Sequence, residues 1–272
     1  MPPPDVQTPS PPSEHAPTIL APELPTLAPE DYPSFDNIVT EDGAPVDSIF
    51  SEKQMRLLTE PLYVSWSPQR SFVALANVGL FYGIDLPPLV PDMLLSIDVS
   101  FPKSLFPKPN RTYAVWQYGK PPEIVIEIVS NKVGGEDSAK LEKYANVRVS
   151  NYYIYDPECH LSDQELRGYR LAGNRLEPID HPLGYITQLG LGVTLWSGRF
   201  EQIEAKWLRW IDAQGQMIAT GAERAEQATQ RAEQATLRAE QATLRAESEK
   251  AQRLKLLEVL RQHGIEPPSE VQ

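Results

Sequence analysis

The segment PEIVIEIVS, residues 122–130, sets an acid in the middle of a run that otherwise reads as a buried strand. Its β-branched residues are dense and no turn former interrupts them. Side chains alternate along a strand, so Ile124, Ile126 and Ile128 share one face, while Glu123, Val125, Glu127 and Val129 share the other. A carboxylate at Glu127 is costly to desolvate unless a divalent cation, a lysine or an opening to water compensates it. Asp92 raises the same question, since it follows Pro91 and opens the apolar run DMLLSIDVSF. Two strands that each present one acid suit a magnesium ion, which would acidify bound water and neutralise charge on a scissile phosphate. A nearby lysine then orients or deprotonates the water and stabilises the transition state. Lys140 is the candidate, and Tyr144, four residues on, shares its helical face. Lys143 replaces Lys140 if the helix is rotated by one position. Glu123 is a third ligand or a rim residue, and the rim is favoured. The plain alternative is a structural ion pair between strand and helix, with Asp92 a turn residue; the strand, strand, helix order weighs toward a metal site.

These groups need a scaffold of strands and helices. Ser51 suits an N-cap, followed by Glu52 and by Met55, Leu58 and Leu62 at helical spacing. Pro61 is expected to end or kink that helix. SFVALANVGLFYG leans to strand, and a buried strand begins at Asp92. After Gly134-Gly135 the segment EDSAKLEKYANV reads as a helix of about three turns. NYYIYDP is a strand closed by Asp156-Pro157, ELRGYRLAGNRLEPI a hairpin around Gly173-Asn174, and KWLRWIDAQGQMI a second pair turning at Ala213 to Gly215. Strands interleaved with single helices indicate an α/β or α+β domain.

The net charge of −12 argues at first against a nucleic-acid partner. Its distribution reverses that inference: residues 1–60 carry −9, residues 61–200 only −1 and residues 201–272 −2. A nearly neutral domain binds a polyanion through a local basic edge rather than by bulk charge. Such an edge is legible between Asp98 and Glu123, where no acid occurs. Lys103, Lys108, Arg111 and Lys120 there interleave with Phe101, Phe106, Tyr113, Trp116 and Tyr118. Cations with aromatics suit phosphate contact and base stacking; a hairpin with packed aromatics and solvated lysines fits equally well.

Residues 1–45 form a Pro-rich acidic arm with too little apolar surface to offset the entropy of ordering, and are expected to be disordered. The stretch from about 50 to 220 is rich enough in Val, Ile, Leu, Tyr and Trp to bury one substantial core, and the domain is taken as 46–218. The lone Cys159 excludes an internal disulfide, fits a reducing compartment and reads as a loop thiol. His15, His160, His181 and His263 lack ligand-like spacing, which argues against a zinc site. No apolar run approaches membrane-spanning length and no signal sequence is legible, so a soluble, cytoplasmic protein without a membrane partner is expected.

Over residues 219–264 the sequence repeats as RAEQATQ, RAEQATL, RAEQATL and RAESEK. Ala225, Ala228, Ala232, Ala235, Ala239, Ala242 and Ala246 alternate spacings of three and four, the seam pattern of a coiled coil. Each methyl contributes roughly 0.8 kcal/mol on burial, so the seam is weak per residue. A long solvated helix and a homodimeric stalk both fit. The leucine-rich end (Leu254, Leu256, Leu257, Leu260) leans toward association. Gly264 and Pro267-Pro268 stop the helix, leaving a flexible tail over 265–272.

In this order, VPDMLLSIDV, KPPEIVIEIVSN, GGEDSAKLEKYANV and YYIYDP resemble the Uma2 (DUF820) family, abundant in cyanobacteria and regarded as a branch of the restriction endonuclease-like, PD-(D/E)XK superfamily. The resemblance runs from about residue 51 to 212. It implies an α/β fold: a restriction endonuclease-like mixed β-sheet flanked by helices, here with the Pro-rich arm and a long C-terminal helix. It further implies a metal-dependent endonuclease hydrolysing phosphodiester bonds in nucleic acid, with DNA as substrate and Mg2+ (or Mn2+) as cofactor. Asp92 matches the family's PD aspartate, Glu127 its strand glutamate and Lys140 the lysine of the following helix. Asp92 and Glu127 would then hold the metal. One departure stands out: the superfamily's E-X-K lysine would fall at position 129, which is Val129. A helix lysine that reaches back along its flexible stem would replace it. A non-catalytic binding or assembly protein that keeps the fold is the alternative.

Overall fold

The computed structural model describes residues 28, 31 and 48–263, apart from residues 67, 69, 84, 85 and 131–137. The N-terminal arm (save two positions), the Gly134-Gly135 break and the C-terminal tail therefore lie outside the described residues. The chain divides into two units, Met1–Ile218 and Ala219–Gln272.

In the first unit, α1 (Ile49–Val64) begins at Ser48, whose side chain accepts the Ser51 backbone N–H at 3.0 Å. The cap expected at Ser51 is thus three residues earlier; the Ser51 hydroxyl is buried instead, 2.9 Å from the Ser48 hydroxyl. Nor does Pro61 end the helix. In the last turn proline forfeits only its own N–H bond, while Leu62 beyond it is fully buried and holds the chain helical as far as Val64.

A six-stranded sheet carries the architecture, in the order β1 (Phe72–Ala76), β3 (Met93–Ile97), β5 (Ile124–Ile128), β6 (Asn151–Tyr155), β7 (Leu166–Ala172), β8 (Arg175–Pro178). Every pairing is antiparallel except β5 with β6. Parallel neighbours need a crossover, and α3 (Ala139–Val147) lies in that connection. Besides these, β2 (Leu80–Phe81) and β4 (Tyr113–Ala114) form a short parallel pair, followed by α2 (Val115–Tyr118).

The sheet is apolar on both faces, where the sequence suggests a single core. Ile124, Ile126 and Ile128 pack with Leu58 and Leu62 of α1 and with Trp210. Val125 and Val129 pack on the opposite face with Tyr144 and Val147 of α3 and Tyr152 of β6. A central strand covered on both sides reads as a continuous apolar run, which is why β5 is legible in sequence without revealing two layers.

A second sheet, β11-β10-β9, completes the first layer: β9 is Gly184–Ile186, β10 Leu191–Phe200 and β11 Ile203–Ile211. Strand β10 is not anticipated by the sequence pattern. Its hairpin to β11 turns on Glu201 and Gln202, both at positive φ (43° and 72°). Such two-residue turns are usually signalled by Asn-Gly, and here that signal is missing. KWLRWI accordingly pairs back onto β10. Toward QMI the chain does turn at Ala213 to Gly215, held by an Ile211–Met217 bridge and by bonds from the Asp212 N–H to the Gln216 carbonyl and from the Ile218 N–H to the Trp210 carbonyl, each 2.9 Å. The hairpin expected around Gly173-Asn174 is the β7–β8 turn.

The second unit is α4 (Gly221–Gln262). It opens with a capping box in which Thr220 Oγ1 accepts the Glu223 N–H at 3.2 Å and Glu223 Oε2 accepts the Thr220 N–H at 2.7 Å. No residue of α4 is buried.

Gly192 crosses β9 so closely that a Cβ there would overlap the Gly184 carbonyl oxygen and the Tyr185 Cα, both backbone atoms that cannot swing away. Gly192→Ala should therefore cost about 3 kcal/mol of stability through overpacking. Urea unfolding checks this, and a loss below about 0.5 kcal/mol would contradict the packing described.

Candidate active site

Strand register brings the two candidate acids together. Met93 opposes Ile126 across β3 and β5, so one step further Asp92 faces Glu127. Asp92 is anchored there by its own side chain: Oδ2 accepts the Ile128 backbone N–H at 2.6 Å. On its other side the Asn77 N–H donates to the Asp92 carbonyl at 3.1 Å.

Glu127 lies in the layer packed under α3, with its side chain only 3% exposed. Each of its oxygens has a donor. The Lys140 Nζ stands 3.0 Å from Oε2, and the Tyr144 hydroxyl donates to Oε1 at 2.5 Å. Both donors come from one face of α3, four residues apart. Position 129 is filled by buried Val129, which packs in the same layer. The cation at Glu127 thus arrives from the helix and not from the strand. The bond from Tyr144 to Glu127 goes beyond the shared face that sequence assigns to Tyr144 and Lys140, although that spacing is the signal for it.

Burial pushes the Glu127 carboxyl up to about 7, against the pull of Lys140; the charge on Asp92 raises it further and the bonds from Tyr144 and Lys140 lower it. Burial likewise drives the Tyr144 hydroxyl well above its usual range, so it remains a donor.

The other acids and cations sort differently. Glu123 does not join Glu127: its Oε2 accepts the Ile97 N–H at 2.8 Å and its other oxygen pairs with Lys120. Lys120 also donates to the Ile97 carbonyl at 2.7 Å, so its amine serves the scaffold. Lys103, Lys108 and Arg111 lie apart from it in the loop over residues 99–112. Lys143 is exposed and Cys159 lies in an exposed loop. Register also carries the Glu127 row across Ile154 to Arg167, a placement with no signal in the sequence.

Among the described residues no group of three or more His, Cys, Asp or Glu could hold a metal. A pair of carboxylates is nonetheless a donor set that magnesium accepts, since it takes one or two protein carboxylates and fills its remaining positions with water and substrate oxygens. Asp92 and Glu127 fit that description.

The multi-strand mixed sheet with helices on it and a long C-terminal helix agrees with a restriction endonuclease-like fold. Residues 37–196, more than half of the chain, match the Uma2 family, described as "Putative restriction endonuclease", and the chain belongs to that family. Among solved structures, a "putative nuclease belonging to DUF820" from Anabaena variabilis ATCC 29413 is similar over 52% of this chain and 73% of its own, at 19% identity and a TM-score of 0.34. No curated protein matches the sequence. Among the described residues no helix is long and apolar enough to cross a membrane.

Because the folded carboxyl of Glu127 titrates near 7 rather than at its ordinary 4.5, the native state holds a proton there that the unfolded chain has released. Its contribution to stability is therefore full below about pH 4.5 and is lost as pH rises through 7, an effect of about 3 kcal/mol. In chelator, the wild type should lose more stability than Glu127→Gln between pH 5 and pH 8. Parallel pH profiles of denaturant midpoint would contradict this.

Proposed function

We propose that this chain is a divalent-metal-dependent nuclease that hydrolyses phosphodiester bonds in nucleic acid, with DNA as the first substrate to test. The observation that carries the reading is the Lys140 amine 3.0 Å from Glu127 Oε2, on a carboxylate that faces Asp92 across adjacent strands. In this reading Lys140 takes over from a strand lysine absent at Val129. Asp92 and Glu127 would hold a magnesium or manganese ion, which when bound supplies Lewis-acid stabilisation of the phosphate and an acidified water. Lys140 draws the buried Glu127 carboxyl back toward its ionised form and offers a positive charge to an oxygen of the scissile phosphate. Tyr144 fixes the Glu127 carboxylate by its second oxygen, so that the group does not rotate as the amine exchanges partners.

Incubation of the purified protein with labelled DNA and Mg2+ or Mn2+ should give cleavage. Asp92→Ala and Glu127→Ala should each lower it by about a thousandfold, and Lys140→Ala by roughly a hundredfold or more. Undiminished cleavage by both acid variants would remove the proposed site.

A second reading has its own support: with a donor on each oxygen, Glu127 is also satisfied as a structural ion pair, and the protein would then bind or assemble without catalysis. Calorimetric titration separates the two. A stoichiometric metal-binding heat that disappears in Asp92→Asn supports the nuclease, and its absence supports the scaffold.

We also propose that α4 joins two copies through its alanine seam, which is solvent-exposed in the single chain. Sedimentation equilibrium should show a dimer that Ala232→Glu with Ala239→Glu converts to a monomer; a monomeric wild type would refute it.

A further inference from the structure

Residues 99–122 contain no acid in a chain of net charge −12, and their loop over residues 99–112 carries Lys103, Lys108 and Arg111. Apolar surface is concentrated on the same loop: Phe106 is 86% exposed, Leu105 52% and Phe101 41%. Phe106 is the most exposed of the large apolar side chains described, a ring standing in water on a loop that also carries cations.

The loop is also tied in place from below. Arg111 Nε donates to the Phe106 carbonyl at 3.0 Å, Asn110 Nδ2 to the Ser104 carbonyl at 2.6 Å, and Gln117 Nε2 to Asn110 Oδ1 at 2.6 Å. These bonds pin the backbone that carries Phe106, so the ring is presented outward at small cost in entropy on binding.

Under this loop is a cavity of about 230 Å3, walled by Leu75, Val78, Phe101, Leu105 and Tyr118, with Arg111 on its lining. Its two aromatic walls are backed by further rings: Tyr118 stacks on Tyr113 at 4.3 Å and Phe101 on Tyr63 at 6.3 Å. The cavity belongs to the site's side of the sheet, because Leu75 and Tyr118 pack in the layer that holds Tyr144 and Val129. Asn77, the neighbour of wall residue Val78, is the residue bonded to the Asp92 carbonyl.

We propose that this loop and cavity bind an unpaired nucleic-acid strand, with one base enclosed between Phe101 and Tyr118 and the neighbouring base stacked on Phe106. The inference rests on the nuclease reading for the position of the phosphate and goes beyond it in naming the substrate as single-stranded or locally unpaired. An aromatic slot accepts the flat face of a base, and a base in a duplex has both faces covered by its neighbours. The cations serve the phosphates of the same strand, which sets the partner's chemistry as a polyanion bearing exposed aromatic rings.

Fluorescence anisotropy on the full-length protein in chelator tests this, with a labelled mixed-sequence oligonucleotide offered as a single strand and as its duplex. The single strand should bind at least tenfold more tightly. Phe106→Ala should weaken single-strand binding by about tenfold and leave duplex binding unchanged, and a 2-aminopurine in the oligonucleotide should change fluorescence with the wild type more than with Phe101→Ala. Phe106 is so exposed that its replacement leaves the fold intact, which unchanged thermal unfolding verifies. Equal or tighter duplex binding, unaltered binding by Phe106→Ala, or no binding of either oligonucleotide would overturn the proposal. Phe106-dependent binding without metal-dependent cleavage would keep it and sink the nuclease reading; Asp92-dependent cleavage insensitive to Phe106 would do the reverse.

Discussion

A carboxylate taken out of water in the middle of an apolar strand must be compensated, and at Glu127 the rest of the domain is arranged around that requirement. Desolvation alone would leave the group protonated well above neutrality. Lys140 and Tyr144 hold it back to about 7, each bonded to one oxygen. Asp92 across the strand pair works in the opposite sense, so burial and Asp92 raise the carboxyl while Lys140 and Tyr144 lower it. Packing and electrostatics cannot be separated here. Tyr144 is both a core residue of its layer and a donor to the carboxylate.

The departure at position 129 has a structural consequence. A lysine on β5 would be placed by the strand itself, whereas Lys140 is placed by the docking of α3. That docking depends on Tyr144 and Val147 meeting Val125, Val129 and Tyr152. The valine at 129 therefore contributes to locating the Lys140 amine beside Glu127. The Lys140 side chain remains 27% exposed while that of its partner is almost completely enclosed.

The two faces of the sheet carry different tasks. One is closed by α1 and the small sheet, with buried Gln54 exchanging both hydrogen bonds with the Leu208 backbone at 2.8 and 3.0 Å. This layer is cohesive and has no candidate chemistry. The other bears α3, the paired acids and the basic loop, and its outer edge is finished by Tyr63, whose hydroxyl bonds both the N–H and the carbonyl of Ala74 on β1. That tyrosine protects an open strand edge and backs Phe101 at the same time. The C-terminal helix follows a third logic. Its 42 residues are held by helix propensity and a capping box, with no buried residue.

Sequence alone determined the local features: β5 and its alternation, the α3 periodicity that pairs Lys140 with Tyr144, the β7–β8 turn and the heptads of α4. These are set by neighbours a few residues away, where side-chain period and turn chemistry act directly. Tertiary structure decided everything that depends on residues distant in the chain. The opposition of Asp92 and Glu127 is a matter of strand register, the withdrawal of Lys120 and Glu123 into a scaffold pair depends on Ile97, and continuation of α1 past Pro61 follows from burial of Leu62. Strand β10 stayed hidden because its turn uses Glu201 and Gln202 at positive φ, a conformation that long-range pairing imposes and local composition does not announce.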